Sequence, residues 1–317
     1  MQIRAGFEIT YHCPQPTPML LALSVHPSRM PDVIGPHRIV FDPPIGASEY
    51  RDRYGNMCHR IVAPAGLLRI STQFVVGDPG TPDAVVPDAA QHPIQDLPED
   101  ALVYLLGSRY CETDRLTPLA WSLFSNTPEG WPRVQAICDY VHNRIEFGYH
   151  HADPTCTAFM GHHEGRGVCR DFAHLAIALC RCMNIPARYC TGYLGDIGIP
   201  PADAPMDFSA WFEVYLGGHW HTFDARHNTP RIGRILMARG RDATDVALST
   251  VGNRRNSVTW PIRQLSNAAT GAVIPLRQVT STHTEPVRQF CHPHLSVGAA
   301  ILAQRGSVSR GFRLARE

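Results

Sequence analysis

Apolar residues recur at alternate positions through the opening MQIRAGFEITYHC, with Ile3, Ala5, Phe7 and Ile9 on one face. That is the spacing of a half-buried β-strand. Further strand-like runs follow in LLALSVH, HRIVFDP, MCHRIVA and LLRISTQFVV, with RYGN (53–56) as a turn. Short runs at this spacing predict an antiparallel β-sandwich or barrel over residues 1–76. The next stretch, GDPGTPDAVVPDAAQHPIQDLPED (77–100), is rich in Pro, Gly and Asp and reads as a linker.

Beyond residue 100 the period lengthens. PEDALVYLLGSRY opens with acids after a proline, as a first helical turn does. In PEGWPRVQAICDYVHNRI the apolar Val134, Ile137, Val141 and Ile145 share one helical face. CRDFAHLAIALCRCM carries Phe172, Leu175, Ala176, Leu179 and Met183 on one stripe, which Asn184 and Pro186 stop. ARYCTGYL, SAWFEVYL and HWHTFDA then read as strands, the last two joined by a Gly217-Gly218 hairpin. The pattern from 230 to 265 is mixed. Residues 101–265 are thus expected to form an α+β core of a helix packed on an antiparallel sheet. Residues 266–317 turn to Ser, Thr, Gly and Arg and read as a loosely packed arm, and no internal repeat is evident.

Composition narrows the function. The 317 residues are 44% hydrophobic and 18% charged, enough for two cores. A net charge of +1 gives no basis for a nucleic-acid or anionic-membrane partner. No apolar run reaches membrane-spanning length, MLLALSV (19–25) being too short, and the opening run lacks a signal-peptide core. All 29 basic residues are arginine. This excludes a Schiff-base lysine, a pyridoxal-phosphate lysine and a Walker A lysine. Ten irregularly spaced cysteines do not form a disulfide framework, so a cytoplasmic protein with reduced thiols is expected. The composition is compatible with a homo-oligomer, and no cofactor is implied.

The chemistry centres on GRGVCRDFAHL. Cys169 follows two glycines where a loop ends and a helical stripe begins. A helix N-terminus favours thiolate over thiol, and the glycines let a substrate approach closely. Asp171 is placed to stabilise the first turn. His150-His151, His162-His163, His219-x-His221, Cys180-x-Cys182 and Cys291-His292-x-His294 raise a metal reading, but none has the paired spacing of a structural zinc site.

The order of a cysteine at a helix start, a strand and a tight hairpin ending in an acid is the layout of a Cys-His-Asp acyl-transfer site. In TAFMGHHEGRGVCRDFAHLAIALCRCMNIPARYCTGYL and MDFSAWFEVYLGGHWHTFDARHN the chain resembles the bacterial branch of the transglutaminase-like superfamily, related to papain-like cysteine peptidases. The β region with its RYGN turn is similar to the sheet domain that precedes the catalytic core in that branch. The resemblance spans roughly residues 1–250. It implies Cys169 as nucleophile and Asp224 as the acid orienting a histidine, with a peptide or amide as substrate. The histidine belongs in a phrase Asp-Phe-His-Ala-Trp, and here Asp207-Phe208-Ser209-Ala210-Trp211 stands instead. Ser209 has no pKa near neutrality and cannot act as the base.

Two histidines are candidates to replace it. His227 lies three residues past Asp224, and His163 lies six before Cys169 in a stretch read as a loop. His219 and His221 differ from Asp224 in strand parity, and His174 reads as a packing histidine. Arg226 is a candidate to bind a substrate carboxylate, as are Arg231 and Arg234. Trp211 and Asp207 are expected to line the substrate site. Three functions follow: a hydrolase or acyl transferase working through a Cys169 thioester, a proton-transfer isomerase or epimerase on the same scaffold, and a binding module that has lost its base.

Overall fold

The computed structural model describes residues 1–200 and 207–251 in full and the backbone of Ile262–Gln264. The arm at 266–317, with Cys291, His292 and His294, lies outside the described residues.

β1 (Gln2–Cys13) and β7 (Gly66–Gly77) pair antiparallel along their whole length. Their alternation places Ile3, Ala5, Phe7, Ile9 and Tyr11 beside Leu68, Ile70, Phe74 and Val76 in one core. Gly6 is required there, because a Cβ would lie 2.3 Å from the Thr72 carbonyl oxygen. β3 (Val33–Ile34) and β4 (Val40–Asp42) pair with the other side of β7. A second sheet holds β2 (Thr17–Leu21), β6 (Met57–Ala63) and β5 (Ala47–Arg51), in that order. Met19, Leu21, Ile61 and Ala63 close the core from that side. The result is the expected antiparallel sandwich.

The strand-like runs come out shorter than their patterns. LLALSVH is strand only to Leu21, and HRIVFDP only from Val40 to Asp42, cut by Pro43, which has no N–H to donate. β5 is exposed at every position and so carries no alternation to read.

The α+β region begins with a short α1 (Glu99–Leu102), where PEDALVYLLGSRY had predicted a longer helix. α2 (Thr113–Phe124) is unexpected from the sequence, with Pro118 inside it; it buries Leu116, Ala120 and Phe124 on one face. α3 (Trp131–Arg144) follows the predicted face. Next come β8 (Glu146–Phe147), α4 (Ala158–Glu164), β9 (Arg166–Gly167) and α5 (Cys169–Cys182). All of α5 is buried. It packs on a sheet of β10 (Ala187–Tyr193), β11 (Ser209–Leu216), β12 (His219–Phe223) and β13 (Ile235–Gly240), in the order β12-β11-β10-β13. Ala210, Phe212, Val214 and Leu216 alternate into the core formed with α5.

The two regions share packing. Tyr193, Ile235 and Met237 of the sheet under α5, and Phe208 just before β11, belong to the sandwich core, with Phe208 5.8 Å from Phe7 and Tyr193 5.6 Å from Phe74 between ring centroids. β14 (Ser249–Val251) pairs with β2, and β15 (Ile262–Gln264) with β1. The sequence reading grouped these residues with the α+β core; three-residue edge strands are too short to show a period. The 77–100 stretch is irregular but anchored. The Ala89 carbonyl accepts from Trp131 N–H at 3.0 Å, and the Ala90 carbonyl from Gly217 N–H at 2.8 Å. Among the described residues the cysteines are free thiols, and no helix is long and apolar enough to cross a membrane.

Candidate active site

The approach to Cys169 is built by local turn chemistry. Thr157 caps α4, its hydroxyl accepting from Met160 N–H at 3.3 Å, and Gly165 ends the helix at φ 64°. This places His162 and His163 on a helix, where the sequence reading had a loop; the Thr and Gly that bound it were the available signal. β9 pairs parallel with β8, Phe147 opposite Gly167, and leads directly into α5. The Val168 N–H donates to Asp171 Oδ2 at 2.8 Å, so the acid two residues past the nucleophile folds back over the helix start. Gly167 makes this fold-back feasible, since a Cβ would lie 2.7 Å from that oxygen. Arg170 pairs with Asp171 Oδ1 at 3.1 Å and also donates to the Asp153 carbonyl. Burial pushes the Asp171 carboxyl up, and the Arg170 charge and Val168 N–H oppose it. Cys169 is the first residue of α5 and 4% exposed; in this turn the Asp171 and Phe172 N–H groups donate to the Val168 carbonyl at 2.8 and 3.4 Å, while the first N–H groups of a helix have no acceptor within it.

The acid lies just past β12. Asp224 Oδ1 accepts the backbone N–H groups of Arg226 and His227 at 3.0 and 3.1 Å. Its Oδ2 accepts His227 Nδ1–H at 2.8 Å and Arg234 Nη2–H at 3.0 Å. Asn228, at φ 50°, closes the turn with its N–H on the Asp224 carbonyl at 2.7 Å. Burial raises the Asp224 carboxyl, but the Arg234 charge and the His227 hydrogen bonds outweigh it and hold the group well below the usual carboxylate range. An ionised carboxylate only accepts, so His227 must donate from Nδ1, which leaves the lone pair of the neutral ring on Nε2.

This turn faces the start of α5. The Arg226 guanidinium carbon lies 3.7 Å from the Phe147 ring centroid on β8, and Phe147 lies 6.5 Å from Phe172 of α5. Tyr149 is within electrostatic reach of Arg226, Cys169 and Asp207. Burial is the main influence on Asp207 and pushes its carboxyl up to about 7, against a hydrogen bond from Phe208 N–H at 2.6 Å. Ser209 opens β11 opposite Gly192, 5% exposed, and its buried hydroxyl has no hydrogen-bond partner. Asp224, Arg226 and His227 thus share one turn, and Tyr149 is the group on which Arg226, Cys169 and Asp207 all act. Tyr149 and Phe147 join them without any signal in the sequence, since FGYHH has no period to read.

The other candidates are engaged in other contacts. His163 is exposed on α4, its ring 4.8 Å from Phe159. Trp211 is buried with Cys190 and Leu236 on the face of β11 turned away from α5, 5.1 Å below the Arg234 guanidinium. Arg231 pairs with Asp196 at 3.4 Å, and Arg234 with Asp83 at 2.8 Å as well as with Asp224. His174 is buried, stacks on Tyr110 at 5.0 Å and accepts from Ala243 N–H at 3.2 Å; burial pushes it down to about 3. Two clefts of about 240 and 280 Å³ border Asp224 and Arg234, and neither is lined by Cys169. Among the described residues no group of three or more His, Cys, Asp or Glu is placed to hold a metal.

Residues 120–225 match the family model of the transglutaminase-like superfamily. The chain carries a transglutaminase-like core. A protein of Cytophaga hutchinsonii described as a "putative cysteine protease" superposes with a TM-score of 0.72 at 29% identity, covering 87% of this chain and 93% of that one. An uncharacterized protein of Mycobacterium tuberculosis is 28% identical over 234 residues, which is 66% of this chain and 73% of the relative. An uncharacterized protein of Mycobacterium leprae is 39% identical over 92 residues, 27% of this chain. That match spans 31% of the Mycobacterium leprae protein's own length.

Proposed function

We propose that the protein is a cysteine-dependent amide or peptide hydrolase, or an acyl transferase, in which His227 replaces the base missing at Ser209. The observation that carries this reading is the 2.8 Å bond between His227 Nδ1 and the ionised Asp224. It is the orienting contact a Cys-His-Asp site needs, rebuilt on the turn after β12. In the reaction His227 Nε2 takes the Cys169 thiol proton. The thiolate attacks the acyl carbon, and backbone N–H groups at the start of α5 stabilise the oxyanion. The imidazolium returns the proton to the leaving amine as the C–N bond breaks, leaving a thioester on Cys169. Water, or an acceptor amine, then gives a proton to Nε2 and attacks the thioester, and the sulfur leaves as thiol.

The test is the pH dependence of iodoacetamide labelling, with the labelled cysteine located by mass spectrometry. The wild type is expected to label at Cys169 well below the free-thiol value of about 8.5. Burial pushes Cys58 up to about 11 and Cys111 up to about 12, so these thiols stay silent in that range. His227→Gln is expected to slow Cys169 labelling at pH 7 by about 10²-fold, the lower end for a lost proton acceptor. Equal labelling rates in His227→Gln and wild type would remove His227 from the mechanism.

A further inference from the structure

Arg226 and Cys169 both act on Tyr149, and among the described residues Arg226 has no ion-pair partner. Arg226 is half-buried, its guanidinium carbon lies 3.7 Å from the Phe147 ring centroid, and its charge acts on Tyr149. The arginines around it are all paired, Arg170 with Asp171, Arg231 with Asp196, and Arg234 with Asp83 and Asp224. Among the described residues no carboxylate lies within ion-pair distance of Arg226. Its link to Asp224 runs through its backbone N–H, so the side chain is not needed to hold the acid. A guanidinium offers five donors in a rigid fork suited to a carboxylate, and ring stacking orients that fork without satisfying its charge.

We propose that Arg226 binds an anionic group of the acyl donor, so that the enzyme acts on acyl groups carrying a carboxylate a few atoms from the scissile carbonyl. This rests on the reading of Cys169 as nucleophile. A dicarboxylic half-amide or an acidic peptide has that chemistry. Among the described residues the carboxyl that acts on the same Tyr149 is Asp207. Below about pH 7 it is largely uncharged and does not compete with substrate for Arg226.

The experiment compares two reagents of nearly equal size, iodoacetate and iodoacetamide, at Cys169 of the full chain at pH 6. In Arg226→Gln the ratio of the iodoacetate to the iodoacetamide rate is expected to fall about tenfold, with the iodoacetamide rate within about twofold of wild type. Arg226→Lys is expected to keep most of the ratio. An unchanged ratio in Arg226→Gln overturns the proposal, and so does an equal fall in both rates, which would mean that the thiol was altered instead. The result is distinguishable from failure of the acyl-transfer reading. An unreactive Cys169 at neutral pH would contradict that reading, while the ratio measured at pH 9 in an Asp207→Asn background, where no Asp207 charge competes, would still report on Arg226. Where the glutamine variant does not fold, wild-type Cys169 is alkylated in millimolar succinate or in its neutral analogue succinamide. Protection by succinate alone supports the proposal, and equal behaviour of the two overturns it.

Discussion

Two ends of neighbouring strands carry opposite polar environments. At the start of β11 the Ser209 hydroxyl is buried with nothing to bind. Just past the end of β12, the Asp224 carboxylate takes four hydrogen bonds from Arg226, His227 and Arg234. The first position is where the resemblance expects the base, and the second is where the structure has collected charge, donors and an imidazole. Native proteins leave few buried polar atoms unsatisfied and concentrate perturbed titrations at functional sites. By both measures the turn, and not the start of β11, has the environment of a working polar site. The comparison teaches that a motif position fixes where a strand runs, whereas satisfied polar contacts tell which side chains it serves.

The strongest way to break that contrast is to remove the acid. Asp224→Ala leaves Arg234 as a buried charge that has lost one of its two carboxylate partners and strips His227 of its orienting bond. Breaking a buried pair from one side costs roughly 3–5 kcal/mol, and Asp83 keeps the expected loss near the lower figure. Urea denaturation at pH 7 should show it, and Cys169 alkylation should slow as in His227→Gln. The pH dependence follows from the sign of the shift. The folded carboxyl lies below its unfolded value, so its contribution is complete above the ordinary carboxylate range and is lost as pH falls through it toward the folded value. The gap between wild type and Asp224→Ala should therefore narrow as pH falls from 5 toward 2. A constant gap would assign the loss to packing.

A swap sharpens the comparison with a smaller effect. Ser209→His placed in His227→Gln restores an imidazole at the position the resemblance expects, on the strand beside the one that leads to Asp224. If the two positions are alternative seats for one base, Cys169 reactivity at pH 7 should recover about tenfold over His227→Gln alone, short of wild type because a larger ring in a packed site costs roughly 1–3 kcal/mol of stability. No recovery, in a variant that melts cooperatively, would mean that only the turn presents a base to the sulfur.

Much of this architecture was legible beforehand, for reasons that differ by element. β1, α3 and α5 carry long apolar periods, and a sustained period survives tertiary context. Cys169 could be singled out because glycines, a cysteine and an apolar stripe stand in fixed order, and Asp224 because a Gly-Gly hairpin sets its distance from β11. α2 was missed because Pro118 interrupts it, although Leu116, Ala120 and Phe124 still share a face. His227 was one candidate of two, and spacing alone did not separate it from His163. What separates them is the tight turn closed by Asn228, which brings the His227 ring onto Asp224. Tyr149 and Phe147 were invisible because their roles depend on contacts between segments far apart in the chain.

The mildest test falls on Asp207, which shares the Asp207–Trp211 phrase with Ser209 but carries an ionisable group. Burial is its main influence and holds its folded value up to about 7, above the unfolded value of 3.8. Between those values the folded chain binds more protons than the unfolded one, so stability falls as pH rises through this window and the full penalty stands above pH 7. Asp207→Asn removes a charge without removing the acceptor for Phe208 N–H. It should leave the melting temperature nearly unchanged at pH 4 and raise it at pH 8, by about 2–4 °C if the penalty is roughly 1 kcal/mol after allowing for solvent screening. A melting temperature that fell equally at both pH values would show that Asp207 serves the fold through its hydrogen bond, and that its charge at neutral pH costs nothing.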